Sequence, residues 1–593
     1  MILSRAGRFA SGVWTRLERH AVGLSCVVAA LLALPTLTSP LLLDDLVHRA
    51  MLLGRLPGVH WSPLELYDFI GASSRTADAL RDSGSVPWFA ADDLKLRFFR
   101  PLSSALLAAE AGLDERWIWL ARLQSLLWLL ACLTLAAALY RRFLSRPCAA
   151  LATLIYAVAP GHAMPVSWIA ARYALVCTAF GLLSVWLHVR AREDGWQPGY
   201  WLSPAALAVG LLAGETALGA VALVAAWEVF GSRDPLPRRV RGAAPIAIVT
   251  LAYLAVYVLA DYGAAGSGVY VGAGDGWDGA ALLGLRVLIL VAELVTATPS
   301  DAFGPGPPAI EIAGAAWGVV AAGAAWAVWR ASRDHIPRRG RSNACWMIAA
   351  AAAATLPGTF GSLGGRVLPL ALVPASAVVA MLIVGAWSTA VSARVHATRR
   401  WLLAAAGGLL VAGHLVLAPV VRLGVGLTLT RIAAETYDQA ARAPSCPGVM
   451  VIVAAADPTI ATYVPALLTL WDRGPERLRV LSMAPSDHRI EAVTATGFDL
   501  VTLDGDRPRS LWERLYRREG PAAGTHITSP SLEARVIEAP GDRPTRVRFD
   551  FGAPLESEAL CFLQWRDGRL RPLRLMRGDE TIHLPHEPGP MGW

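Results

Sequence analysis

Apolar stretches, several close to the roughly 20 residues that cross a bilayer, alternate along this chain with short runs of arginine, and that alternation leaves few folds open to it. Of the 593 residues 55% are hydrophobic and 17% charged, and the mean hydropathy of +0.45 exceeds what a soluble domain buries. The chain belongs in a membrane. Its net charge of +8 would suit a nucleic-acid binder if the basic residues formed one patch. They fall instead in runs between apolar segments, at Arg5–Arg19, Arg141–Arg146, Arg190–Arg192, Arg233–Arg241, Arg330–Arg341 and Arg394–Arg400. That is the pattern of loops held on the cytoplasmic side, and it argues against nucleic acid as a partner. Lys95 is the single lysine, which together with abundant alanine and glycine points to a GC-rich bacterial genome.

If every basic run faces the cytoplasm, an even number of crossings separates each from the next. Ala21–Leu37 carries no small-x-small cleavage pattern and reads as a retained first helix. Ile118–Tyr140 returns, leaving a long outer loop over residues 38–117. Pro160, Gly161, His162 and Pro165 break the next apolar stretch into two helices. Gly214-Glu215-Thr216 does the same for the stretch before Arg233; these helices are short, so the Glu215 turn is expected within the depth of the bilayer. Three apolar segments lie between Arg241 and Arg330, where parity permits two crossings. The middle one, Ala280–Ala297, carries Arg286 and Glu293 and is expected to lie flat on the outer surface. Asn343–Leu356, Val367–Trp387 and Trp401–Val421 complete about eleven transmembrane helices, with the N-terminus cytoplasmic.

Residues 1–429 are thus expected to form the transmembrane domain and 430–593 an extracytoplasmic soluble domain, mixed α/β or β-rich. Within the latter, Val449–Ala454 reads as a buried strand ending at Asp457-Pro458, and Asp567-Gly568 as the turn of a hairpin. It holds no Gly-rich phosphate loop and no nucleophile motif, which suits a binding or lid domain. The seven cysteines show no metal-ligand spacing and argue against zinc; Cys446 and Cys561, in the polar tail, are free to pair in an oxidising compartment if the fold brings them together.

The first outer loop opens with Leu41-Leu42-Leu43-Asp44-Asp45 and closes with Phe98-Phe99-Arg100-Pro101-Leu102. Two adjacent carboxylates after an apolar run suit a general base, a metal site or a helix cap. The next outer turn runs from Pro160-Gly161-His162 through Val166-Ser167-Trp168-Ile169 to Arg172. In this order the acidic pair, the Arg-Pro-Leu, the Pro-x-His-x-x-x-Val-x-Trp-Ile-x-x-Arg turn, Gly214-Glu215-Thr216 and Arg366-Val367-Leu368-Pro369-Leu370 resemble the GT-C class of integral-membrane glycosyltransferases, most of all its protein O-mannosyltransferase-like branch. The resemblance covers roughly Ala21–Trp387. It departs at Met164, where that branch commonly has glutamate, and at Gly214, where it commonly has lysine.

The resemblance implies inverting transfer of a sugar from a polyprenyl-phosphate donor to a hydroxyl of a lipid, glycan or protein acceptor, on the outer face of the cytoplasmic membrane. Asp44 or Asp45 would be the base, and Arg100, Arg172 or Arg366 would meet the phosphate, with His162 and Glu215 in the substrate site. A divalent cation, Mg or Mn, would sit at Asp44, Asp45 and Glu215 if the enzyme uses one. Each residue has a plainer reading. His162 suits a helix end, Trp168 an interfacial anchor, and Arg172 and Arg366 arginines that snorkel to headgroups. A catalytically inactive scaffold presenting the tail, and a lipid or solute transporter, are the rival functions. The enzyme reading predicts Asp44, Asp45, Glu215 and Arg366 around one outward cavity open sideways to lipid, and carboxylates pointing into bulk solvent far from that arginine would sink it.

Overall fold

The computed structural model describes residues 2–56, 61–71, 76–304, 308–505, 507–575 and 581–592. Among them eight helices are long and apolar enough to cross a membrane, from His20–Leu37 to the 46-residue Ala397–Arg442. Arg146–Val158 and Pro160–Ser167 form a further span bent by 49°, at the proline whose missing N–H and ring disrupt a helix. Gly199–Ala213, Leu218–Ala226 and Ala344–Ala353 are shorter. The protein is a multi-pass α-helical membrane protein with a C-terminal mixed domain.

The basic runs gather at one end of the bundle. Arg142 pairs with Glu193 at 2.6 Å and with Asp194, while Asn343 donates to the Phe143 carbonyl at 3.1 Å. Helix Gly276–Thr296, which contains the segment expected to lie flat, is long enough to span but makes no net crossing. The chain before it, at Val269–Gly272, and after it, at Asp301 and Gly304, lines the same cavity at the other end of the bundle. The other seven long helices and the bent pair remain as candidate spans, with the three shorter helices packed among them. The charges that mark this helix are cross-links. Arg286 donates to the carbonyls of Val269, Thr359 and Gly361 at 2.9–3.0 Å, and Glu293 accepts from Ser300 N at 2.8 Å.

Helix Ala397–Arg442 continues without interruption past Leu429, so the boundary expected at 429/430 falls inside it. At 1.5 Å per residue it is about 70 Å long, more than twice a hydrocarbon core. The domain beyond it holds two sheets. In the first, Val449–Ala454 lies between Leu560–Arg566 and Arg477–Ser482, parallel to both, and Arg569–Pro572 pairs antiparallel at the edge. Val449–Val453 is buried on both faces, hence its unbroken apolar sequence. Asp567 and Gly568, both at positive φ, make the tight turn. The second sheet is antiparallel and six-stranded. Cys446 and Cys561 form a disulfide with Cα atoms 5.8 Å apart.

This domain is bolted to the bundle rather than tethered to it. Trp88 donates to the Leu481 carbonyl at 2.9 Å, and Arg479 to those of Arg81 and Asp82 at 3.0 Å. Ala91 N reaches the Tyr516 carbonyl at 3.0 Å, Gly268 N the Arg514 carbonyl at 2.7 Å, and Arg518 pairs with Asp275 at 2.6 Å. A small sheet of Asp68–Ile70, Lys95–Arg97 and Gly263–Ala265 joins the two bundle loops that receive these contacts. At Gly84, φ is +82° and a Cβ would stand 2.0 Å from the Leu478 carbonyl oxygen. Gly84→Ala should therefore push the domain off the first loop, at a cost of about 1 kcal/mol from backbone strain alone. Faster limited proteolysis around residues 84–95, with the bundle still folded in detergent, is the expected result.

Candidate active site

A cavity of about 810 Å³ opens at the end of the bundle away from the basic runs. Its walls come from the first loop, the turns around Met164–Tyr173 and Glu215, the loops on either side of Gly276–Thr296, and Arg366; Tyr463, Trp512 and Met591 of the C-terminal domain roof it. Its lining is mainly apolar. Leu254 and Val258, 40% and 73% exposed on the flank of Leu236–Leu259, lie on its rim where lipid would touch them.

Asp44 and Asp45 open helix Asp44–Leu52 and part at once. The residue before them, Leu43, holds φ 51° and ψ −124°, a strained conformation for a side chain of that size. Asp44 emerges into the cavity, where its Oδ1 accepts from the Tyr463 hydroxyl at 3.0 Å. Burial raises its pKa against the opposing pull of that hydrogen bond and of Arg366. Asp45 turns into the protein. Its Oδ2 accepts from Leu42 N at 3.1 Å and its Oδ1 from Ala170 N at 2.7 Å, stapling the start of the loop to the next outer turn. Burial pushes its pKa up to about 6, with the nearby Arg122 guanidinium pulling the other way. Arg122, fully buried, donates to the carbonyls of Ser39, Pro40 and Ser167 and draws the same two segments together.

Arg100 and Glu215 meet on the cavity wall as a two-pronged ion pair, with Nε 3.0 Å from Oε2. The guanidinium lies 3.7 Å from the centre of the Tyr173 ring and within 5 Å of those of Tyr67 and Phe98. The carboxylate in the turn between short helices has found a cation. At Gly214 a Cβ would come 3.4 Å from Arg100 Cγ, so Arg100 fills the space beside the position where the resembling branch carries lysine.

Arg366 reaches the cavity over the Trp168 ring, 5.7 Å from its centre. Among the described residues no carboxylate lies within 4 Å of it, and it makes no hydrogen bond. Asp44 and Asp301 face it at longer range. Asp301, on the same wall, accepts from Gly365 N at 3.0 Å and so fixes the turn that carries Arg366.

Of the expected site residues, Asp44, Arg100, Glu215 and Arg366 thus share one cavity, while Asp45, His162 and Arg172 stand behind its wall. Arg172 is buried in a two-pronged pair with Glu110, at 2.6 and 2.8 Å, and donates to the Ala121 carbonyl; it does not snorkel. His162 is fully buried, edge-on to Tyr156 at 4.7 Å. The trio proposed for a divalent cation does not converge, because Asp45 is committed to two backbone amides and Glu215 to Arg100. Among the described residues no three His, Cys, Asp or Glu side chains gather as metal ligands. Tyr463, Tyr270 and Arg122 carry no signal in the sequence, whereas Asp301 carries one, in the Pro299-Ser300-Asp301 turn after an apolar segment.

No protein-family model matches the chain and no curated protein sequence does. Among solved structures it is similar to the archaeal oligosaccharyltransferase AglB from Archaeoglobus fulgidus in complex with an inhibitory peptide and a dolichol-phosphate. The identity is 11% and the TM-score 0.41, over 79% of this chain and 65% of that one. The apo form of the Archaeoglobus fulgidus oligosaccharyltransferase gives 11% and 0.39 over 79% and 65%. The form tethered to an acceptor peptide gives 12% and 0.35 over 73% and 63%. The chain spans less than two thirds of the length of each.

Asp45 makes a prediction that needs no substrate. From near 3.9, where the unfolded carboxyl titrates, to about 6 the folded protein keeps a proton that the unfolded chain releases, so Asp45's contribution makes stability fall as pH rises through that window. Asp45→Asn removes that titration. The difference in melting temperature between wild type and variant in detergent should therefore vary between pH 4 and 6 and level off above.

Proposed function

We propose that the protein is an inverting membrane glycosyltransferase of the GT-C kind, which moves a sugar from a polyprenyl-phosphate donor to an acceptor hydroxyl. Its setting is the outer face of a bacterial cytoplasmic membrane, with the N-terminus cytoplasmic and the C-terminal domain outside. The observation that carries this reading is the presence in one chamber of a carboxylate, Asp44, and of an arginine, Arg366, that no described carboxylate approaches within 4 Å, beside an apolar rim that lipid would touch.

The chemistry follows from those two groups. A carboxylate with a raised pKa is a better proton acceptor than a solvated one. As the acceptor oxygen attacks the anomeric carbon, its proton passes to Asp44 and the new C–O bond forms. The bond from that carbon to the phosphate oxygen breaks with its electron pair, and polyprenyl phosphate leaves with a gain of negative charge. An unpaired guanidinium is suited to receive that charge in a region with little water to screen it. Arg100, already neutralised by Glu215, would hold the wall and the aromatic rings in place. The apolar rim at Leu254 and Val258 gives the prenyl chain a path that never leaves the bilayer.

The sidedness rests on the arginine runs and on the disulfide, which persists in an oxidising compartment. The test is transfer or donor cleavage in proteoliposomes, with a panel of radiolabelled undecaprenyl-phosphate hexoses and pentoses and a membrane lipid extract as acceptor. Asp44→Asn should lower the rate at least about 100-fold, and Arg366→Ala should do so while weakening competition by free undecaprenyl phosphate. Unchanged transfer by Asp44→Asn would overturn the assignment of the base.

A further inference from the structure

We infer that Tyr463 of the C-terminal domain is a positioning residue of the active site, holding Asp44 in the orientation in which it takes the acceptor's proton. The inference rests on the glycosyltransferase reading for its mechanism, but not for its test.

Tyr463 is brought to Asp44 from 419 residues away in sequence, and its hydroxyl donates to Oδ1 at 3.0 Å. That bond leaves Oδ2 as the oxygen free to act as base, and it removes the rotation by which the two oxygens would exchange. The tyrosine is itself anchored. It ends the turn Thr459–Tyr463, whose start is tied down by Asp457: Oδ1 accepts from Thr459 N at 2.9 Å, and Oδ2 accepts from Met591 N at 2.6 Å. The following helix, Val464–Leu470, packs on Asp44–Leu52, and Arg55 both donates to the Leu470 carbonyl and pairs with Asp472 at 3.2 Å. Two short helices from opposite ends of the chain are thus clamped side by side, with the Tyr463–Asp44 bond between them. A domain that merely covered the cavity would need none of this.

The groups facing Asp44 come from five directions: Tyr463 and Tyr516 from the C-terminal domain, Arg366, Tyr270, and Asp45 on its own helix. Of these, Tyr463 is the one that touches it with a hydrogen bond. A donor to a carboxylate favours the ionised form, so removing the hydroxyl must raise the pH at which Asp44 loses its proton.

Tyr463→Phe keeps the ring and its packing and deletes the bond. Labelling of Asp44 by an apolar carbodiimide, which reacts with the protonated acid, can be followed against pH by peptide mass spectrometry on the full-length protein in detergent. The expected result is a midpoint for Asp44 about one pH unit higher in the variant than in wild type, with the labelling profile of Glu215 unmoved. In the transfer assay the acid limb of the rate profile should move the same way, with kcat down about tenfold and KM for the donor little altered. An Asp44 midpoint that stays put in Tyr463→Phe overturns the inference whatever the sugar proves to be. Active Asp44→Asn, by contrast, would sink the assignment of the base while leaving the labelling result standing.

Discussion

The two hydrogen bonds that Asp45 accepts from Leu42 and Ala170, with Arg122 gripping the carbonyls of Ser39, Pro40 and Ser167 beside them, hold the end of the first helix against the turn that follows the bent span. The rest of the cavity end depends on this knot. Without it neither the strained Leu43 nor the direction of Asp44 would be fixed, and the wall carrying Trp168 and Tyr173 would be held to the first loop by fewer bonds, chiefly the Tyr67 hydroxyl on the Ala170 carbonyl and Arg172 on Glu110. Such a knot is possible because carbonyls and amides at helix ends are left without partners by the helix itself. A buried carboxylate and a buried guanidinium satisfy them in one place, each lying in the other's field.

The same requirement sorts every other charge at this end of the bundle. Arg172 has Glu110, Arg100 has Glu215, and Arg286 has three carbonyls. Each is held by direct bonds, and breaking the Arg172–Glu110 or Arg100–Glu215 pair would strand a charge at a cost of several kcal/mol. They are therefore framework. Arg366 is the exception that gives the cavity its electrostatic sense: its cation is balanced only at a distance, by Asp44 and Asp301. A dianionic or monoanionic phosphate arriving from the membrane would complete that balance.

Charge counting in the sequence is enough to recover the long apolar helices and to single out Gly276–Thr296 by its internal charges, because the cost of burying ions in hydrocarbon acts on every residue independently of fold. The same arithmetic is blind to what happens after a charge is buried. Asp44 and Asp45 are equivalent as letters, and what separates them is the positive φ of Leu43, which no local rule demands of a leucine. His162 and Arg172 sit in the turn that resembles a substrate site, yet Tyr156, on the other arm of the same bent span, and Glu110, at the end of the first-loop helix Pro101–Glu110, occupy them. Glu215 is legible as a residue needing a partner; that the partner is Arg100, 115 residues earlier, belongs to tertiary structure. In the tail the buried strand and its hairpin are plain, while its docking is written in hydrogen bonds to backbone carbonyls that leave almost no trace in side-chain identity.

That docking changes what a tail outside a membrane domain means here. If it were a separate binding module, its contacts with the bundle would be few and polar, and its removal would leave the cavity intact. The domain instead completes the cavity roof with Tyr463, Trp512 and Met591, and the sheet joining residues 68–97 to 263–265 stands beneath it as a platform. Access from the aqueous side is narrowed by this roof, whereas the flank at Leu254 and Val258 stays open. A site built between a rigid roof and a lipid-facing gate favours reactants that carry a hydrocarbon anchor, since an anchored molecule reaches the gate by diffusion in two dimensions. In the proposed reaction it would also keep bulk water away from the anomeric carbon, an exclusion that sends the sugar to an acceptor rather than to hydrolysis.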